Sequence, residues 1–350
     1  MLNLPTNHAG GAFVQKQYRY PLGPDLVKYG GCVLLIFVTG VILAGSYMAE
    51  YPSLLSMAFL AFAFGMQHAF DVDHITAIDN ITRKMINEGR NTHGVGFAFS
   101  LGHSSVVMLM AIVTILFVEW SKKALPSLQS VGGVVGTTFA GVTLILLAGV
   151  NLVILTGIWR EFNHRDQPAT TVRLRQSRIY RAFERGLHLI NHNWQVMGIG
   201  FLFGLGFDTA SQIAILATSA ITTSQGVPWY AVLAFPLLFM AGMCLLDTSD
   251  GLFMSTAYAW VFASPVRKVY YNLILTGLSV LAALFSGGVN LLLAAKLIFK
   301  VHGPLITWAA GLNFFHLGLG LVGLFVGLWA LALFGWYYFG LNKRDKQVRS

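Results

Sequence analysis

Eight long apolar runs restrict this chain to one class of fold. They cover Tyr29–Ala49, Leu54–Ile78, Gly94–Val118, Val134–Ile158, Trp194–Thr222, Trp229–Phe262, Tyr271–Ala295 and Leu305–Phe339. A hydrocarbon core about 30 Å thick takes roughly 20 helical residues to cross. Inside it, every backbone polar group must be bonded within the segment, which for runs of this length means α-helix. The expected fold is all-α: a polytopic membrane protein with eight transmembrane helices. The sixth and eighth runs exceed what one crossing needs, so they tilt, break or extend past the bilayer. Only 11% of the residues are charged, against about 25% in an ordinary soluble domain.

The basic residues give the chain a direction. With both termini cytoplasmic, the inner segments hold 19 of the 23 Lys and Arg residues, leaving Lys122, Lys123, Lys296 and Lys300 outside. That asymmetry is the one cytoplasmic loops carry. It also accounts for the net charge of +9 without nucleic acid as a partner. The cytoplasmic parts are then a segment over about 1–28, a basic loop over 159–193 and a tail over 340–350. Arg173 to Arg185 in that loop form either a basic interfacial helix on anionic lipid or a solvated loop that serves topology alone. Met1 to Pro24 has no apolar core of the length a cleavable signal needs. Cys32 and Cys244 both fall in apolar runs and read as small buried residues.

Charge within the runs is sparse and of one sign. Asp71, Asp73, Asp79, Asp208, Asp247 and Asp250, six of the fourteen acidic residues, lie in the runs or at their ends, as do His68, His74, His103 and His316. No Lys or Arg is expected well inside any span. Carboxylates without basic partners at membrane depth must be protonated, wetted, or paired with a cation from outside the chain. Carboxylates among neutral imidazoles suit a divalent first-row metal. The densest group is His68, Asp71, Asp73 and His74, within seven residues. On a continuous helix His68, Asp71 and His74 fall within one 120° arc and Asp73 points elsewhere. Asp73 is then a carboxylate holding a ligand imidazole, a separate part of a path, or a ligand if the helix is broken. His103, Asp208, Asp247, Asp250 and His316 are further candidates, each equally readable alone as an interhelical hydrogen bond.

With these motifs in view, the chain resembles the nickel/cobalt transporter family of eight-span permeases. The resemblance rests first on His-x4-Asp-His: His68, four residues, then Asp73 and His74, continuing through Asp79, Asn80, Arg83 and Lys84. Leu101-Gly102-His103-Ser104, Leu205-Gly206-Phe207-Asp208-Thr209-Ala210 and Leu246-Asp247-Thr248 extend it over nearly the whole length. Where the family commonly has a basic residue, alanine and glutamate, this chain has Gln67, Val72 and Gln212. The resemblance implies a single transporter domain over residues 1–350 and a secondary permease of the cytoplasmic (inner) membrane that imports Ni2+ and also Co2+. It implies that His68, Asp73 and His74 bind the ion, whereas the helical arc favours Asp71. The ion is substrate, and no tightly bound cofactor is expected.

Two other classes fit part of the pattern. An exporter needs the same ligands. The other class is an enzyme, a membrane haem protein or a metal-dependent hydrolase; haem would take axial ligands from His68, His103 and His316. There is no HExxH, which disfavours the common zinc hydrolase arrangement, and no GxxxxGK[ST] phosphate loop. The expectation is a transporter rather than an enzyme, requiring no ATPase partner.

Overall fold

The computed structural model describes residues 21–163, 192–206, 210–262 and 265–338. Asp208, most of the 159–193 loop with Arg173 to Arg185, and the 340–350 tail lie outside the described residues, as do the first 20 residues of the expected N-terminal segment.

The described residues form twelve helices and no strand. In chain order they are α1 (Leu22–Gly45), α2 (Ser53–Ala69), α3 (Val72–Asn87), α4 (Val95–Leu116), α5 (Val118–Asn163), α6 (Asn193–Gly204), α7 (Ala210–Ser224), α8 (Trp229–Val232), α9 (Ala234–Phe262), α10 (Pro265–Phe299), α11 (Pro304–Ala310) and α12 (Phe314–Tyr338). Six spans are long and apolar enough to cross a membrane, with α8 and α9 together making one, and the bent pair α2–α3 makes a seventh. The expected fifth run is divided: α6 has 12 residues and α7 has 15. Neither alone reaches the roughly 20 residues a crossing takes. The two overlong runs are also broken, at Leu233 between α8 and α9 and at Gly311 to Asn313 between α11 and α12. Asn313 Oδ1 accepts the His316 N–H at 3.0 Å as α12 begins, so Asn313 acts as a helix cap.

The surface is apolar where a soluble protein's is polar. Leu34, Leu35, Phe59, Leu281 and Leu331 are exposed, whereas His74, Asp79, Arg83, His103 and Asp247 are buried. That distribution is the one a bilayer selects, and the chain is a multi-pass membrane protein.

At the centre stands α3. From Val72 to Ile86 every side chain but that of Asp73 is buried, and α4, α5, α9, α10 and α12 all pack against it. Ile78 and Ile81 meet Phe99, Leu144 and Leu147 on one side, while Ile75 meets Tyr258, Leu321 and Phe325 on another. Asn151 Nδ2 on α5 donates to Asn80 Oδ1 at 2.6 Å.

This placement corrects the expectation that no basic residue lies inside a span. Arg83 is fully buried on α3, with its guanidinium 3.9 Å from the Asp79 carboxylate one turn away. It donates to Thr276 Oγ1 at 2.5 Å and to the Tyr258 hydroxyl, and stands over the Tyr258 ring at 4.1 Å. Asp79 accepts from the hydroxyls of Tyr258 and Ser279. The reason is the break after α2: the second half of that span runs on to Asn87 within the bundle, so residues read as a cytoplasmic loop are interior. Lys84 is also buried, 2.9 Å from Glu88 Oε1.

Candidate metal centre

The break that ends α2 builds the site. The chain leaves the helix at Phe70, and Asp71 takes an extended conformation with ψ 136° before α3 starts at Val72. The two helices meet at 57°. Asp is a preferred residue at a helix N-terminus, and the Asp71 carbonyl accepts the N–H of His74 at 3.0 Å. The Phe70 carbonyl is backed by Gly318 on α12, where a Cβ would collide with it. His68 thus sits on the last turn of α2 and His74 on the first turn of α3, folded toward each other with ring centroids 4.7 Å apart.

A third imidazole comes from α4. His103 lies eight residues into a 22-residue helix, about 12 Å along a length of about 33 Å. Its neighbour Gly102 has no side chain because α6 passes there: a Cβ at Gly102 would strike the Met197 carbonyl. The His103 ring is 4.9 Å from that of His68 and 4.5 Å from that of His74. One ligating nitrogen from each of the three buried histidines lies within 4.8 Å of the others. Phe99 and Phe239 close the walls, with centroids 5.1 Å from His74 and 5.8 Å from His68.

Carboxylates stand behind two of the rings. Asp71 Oδ2 is 3.0 Å from His68 Nδ1, and Asp247 Oδ2, from α9, is 3.3 Å from His74 Nδ1. A carboxylate there favours the proton on Nδ1 and leaves the Nε2 lone pair for another use. His74 Nε2 is buried with no hydrogen-bond partner, and His68 Nε2 is 3.0 Å from His103 Nε2. Rings packed this closely leave no room for a porphyrin between two of them, so the haem arrangement does not fit.

Asp73 is half-buried in the first turn of α3, its Oδ1 accepting the His74 backbone N–H at 3.0 Å. Asp250 lies one turn beyond Asp247 on α9, with Oδ2 buried and unpartnered. His316 is exposed on α12, apart from the three clustered histidines. One residue that the sequence reading noted as a departure, but not as part of the site, does reach it. Gln212, in the first turn of α7, is fully buried with Nε2 2.8 Å from His103 Nε2 and 3.3 Å from His68 Nε2. A polar residue four positions past Asp208 in an apolar run was the available signal.

The profile of a family described as high-affinity nickel-transport protein, NicO, matches residues 54–334. The chain belongs to this family. Among NicO-like relatives, a protein of Staphylococcus aureus named nickel transporter NixA is 41% identical over 320 residues, 89% of this chain and 94% of that protein. A Mycobacterium tuberculosis protein named nickel transporter NicT is 41% identical over 294 residues, 81% of this chain and 79% of its own. A Rhodococcus rhodochrous protein named cobalt transport protein NhlF is 34% identical over 344 residues, 93% of this chain and 95% of its own. No solved structure matches the chain. The NicO match spans every helix that contributes an imidazole to the centre.

Proposed function

We propose that this chain is a secondary permease carrying Ni2+, and also Co2+, into the cell across the cytoplasmic membrane, with His68, His74 and His103 as its ion ligands. The observation that carries the reading is the meeting of three buried imidazoles from three helices at the break of a span. Imidazole nitrogens suit Ni2+ and Co2+, whereas Mg2+ and Ca2+ prefer shells of oxygen. The relatives' names support the choice of ion, with nickel in NixA and NicT and cobalt in NhlF. In this reading α6 and α7 together make the fifth of eight crossings, and both termini are cytoplasmic. It is a transporter and not an enzyme.

Each polar group then has a task. Asp71 and Asp247 orient His68 and His74 and offset the ion's charge. Asp73, half-exposed beside the centre, draws the cation toward it. Asp250 is the next acceptor toward the cytoplasmic end of α9. An inside-negative potential favours entry by about 2.3 kcal/mol per charge per 100 mV, and a divalent ion gains twice that, so the potential can drive uptake without ATP.

Uptake of radiolabelled Ni2+ at nanomolar concentration, with millimolar Mg2+ present, tests the reading in cells expressing the chain or its His74→Ala variant. Uptake that survives Mg2+ and disappears in the variant is expected. Equal uptake by both proteins, each shown to be in the membrane, would remove the centre from the path. Metal resistance in place of accumulation would reverse the direction of transport.

A further inference from the structure

We propose that Gln212 is the fourth donor of the centre, coordinating the cation through its amide oxygen. The proposal rests on the transport reading above and adds to it a neutral oxygen ligand from α7, a helix that supplies no imidazole.

The first observation is a set of contacts that hydrogen bonds cannot satisfy. His68 Nε2, His103 Nε2 and Gln212 Nε2 form a triangle with edges of 3.0, 2.8 and 3.3 Å. With the proton of His68 on Nδ1, facing Asp71, its Nε2 offers a lone pair. If His103 Nε2 is also bare, two lone pairs face each other at 3.0 Å. If it carries a proton, which it gives to His68, that N–H faces an amide N–H at 2.8 Å. Turning the amide by half a revolution puts its oxygen against the His68 lone pair instead. For neutral rings every arrangement leaves one edge repulsive. A buried polar group without a suitable partner is costly, and a cation placed between three lone pairs relieves all three edges together.

The second observation is the spacing. First-row divalent ions take nitrogen and oxygen donors at about 2.1 Å, which sets neighbouring donors about 3.0 Å apart at right angles and about 3.4 Å apart in a tetrahedron. The triangle already has those edges. Square and octahedral arrangements, with their right angles, are the ones Ni2+ prefers. The third observation is that Gln212 Oε1 is buried with no partner, in a side chain that is fully buried. Exchanging the two ends of the amide places this oxygen at the apex of the triangle.

A neutral fourth donor also fits the charge of the site. The two carboxylates that contact the imidazoles, Asp71 and Asp247, balance one divalent ion. A third negative charge in direct contact would hold the ion more firmly and slow its release, and release is what a permease must allow. Gln212 therefore adds a donor atom without adding a third negative charge.

The test is equilibrium binding of Ni2+ to the purified full-length chain in detergent, for wild type, Gln212→Met and Gln212→Glu, with visible absorption of bound Co2+ as a report on its ligands. Wild type is expected to bind, Gln212→Met to bind at least tenfold more weakly with shifted Co2+ bands, and Gln212→Glu to bind as tightly as wild type or more so while turning over more slowly in uptake. Gln212→Glu separates a ligand from a group that merely positions the rings. A carboxylate keeps the oxygen donor but cannot donate an N–H to an imidazole. If Gln212→Glu binds as weakly as a protein lacking the side chain's polar end, Gln212 acts through its N–H and the proposal is overturned. Wild-type affinity with unchanged bands in Gln212→Met overturns it as well. If Gln212→Met does not fold, Gln212→Glu against wild type still decides. Absence of Ni2+ binding by wild type would instead strike the transport reading itself.

Discussion

The Asp247 carboxylate shows how much of the centre depends on groups that need not touch the ion. It sits on α9, far from His74 in sequence, yet lies 3.3 Å from His74 Nδ1. In that position it fixes the ring's tautomer, and outer partners of this kind commonly affect metal affinity by 10–100-fold. Asp247→Asn keeps the size and an oxygen but removes the charge. Ni2+ binding by the purified protein should weaken by about that factor while the protein inserts normally; unchanged affinity would show that Asp247 is a structural partner of α3. Asp71 is the more instructive case for reading sequences. On a continuous helix it shares an arc with His68 and His74, and it does meet His68, but across a break at which its own backbone is extended. The residues come together for a different geometric reason from the one the periodicity supplied.

At the scale of elements, two features hold α3 in place. The first is its buried ion pair. Asp79 and Arg83 are tied by hydroxyls of α9 and α10, so removing one partner strands the other charge in the bundle. Breaking a buried pair costs about 3–5 kcal/mol, while replacing the whole pair with apolar groups is often neutral. Arg83→Met should therefore lower the thermal stability of the detergent-solubilised protein markedly, and adding Asp79→Leu to it should restore much of the loss. A double variant less stable than Arg83→Met would mean that the pair is held by more than its charges. The second feature is Gly318, which lets α12 approach the Phe70 carbonyl at the break. Gly318→Ala must move α12 or close the break, and either shifts His68 against His74. Its Ni2+ uptake should fall several-fold although no donor has been touched. Uptake at the wild-type level would show that the break tolerates displacement of α12.

For the whole molecule, the chain's passage back and forth sets one side against the other. The turn around Glu50, between α1 and α2, and the turn around Arg90, between α3 and α4, lie at opposite ends of the α2–α3 span. In the proposed orientation the first faces outward and the second faces the cytoplasm. With Cys32 and Cys244 replaced by alanine, a membrane-impermeant thiol reagent applied to intact cells should label Glu50→Cys and leave Arg90→Cys unlabelled until the cells are opened. The opposite pattern would invert the protein and, with it, the direction of the acidic path from Asp247 to Asp250.

The sequence by itself determined the solvent, the helical class and the kind of chemistry. Apolar runs long enough for a bilayer leave the backbone no choice but helix, and His68, Asp71, Asp73 and His74 at membrane depth have no ordinary structural purpose in such numbers. Those conclusions need only local composition. The tertiary structure decided everything that depends on which helix lies beside which. It placed Arg83 inside the bundle, because α3 continues past the apolar run and its charge is met by side chains from α9 and α10. It brought His103 and Gln212 to the two motif histidines and left His316 exposed, although in sequence all three are polar residues in largely apolar runs. Periodicity along one helix reports which residues share a face. The partner of that face is set by packing between segments distant in the chain, and ligation of a cation by several helices is a property of that packing alone.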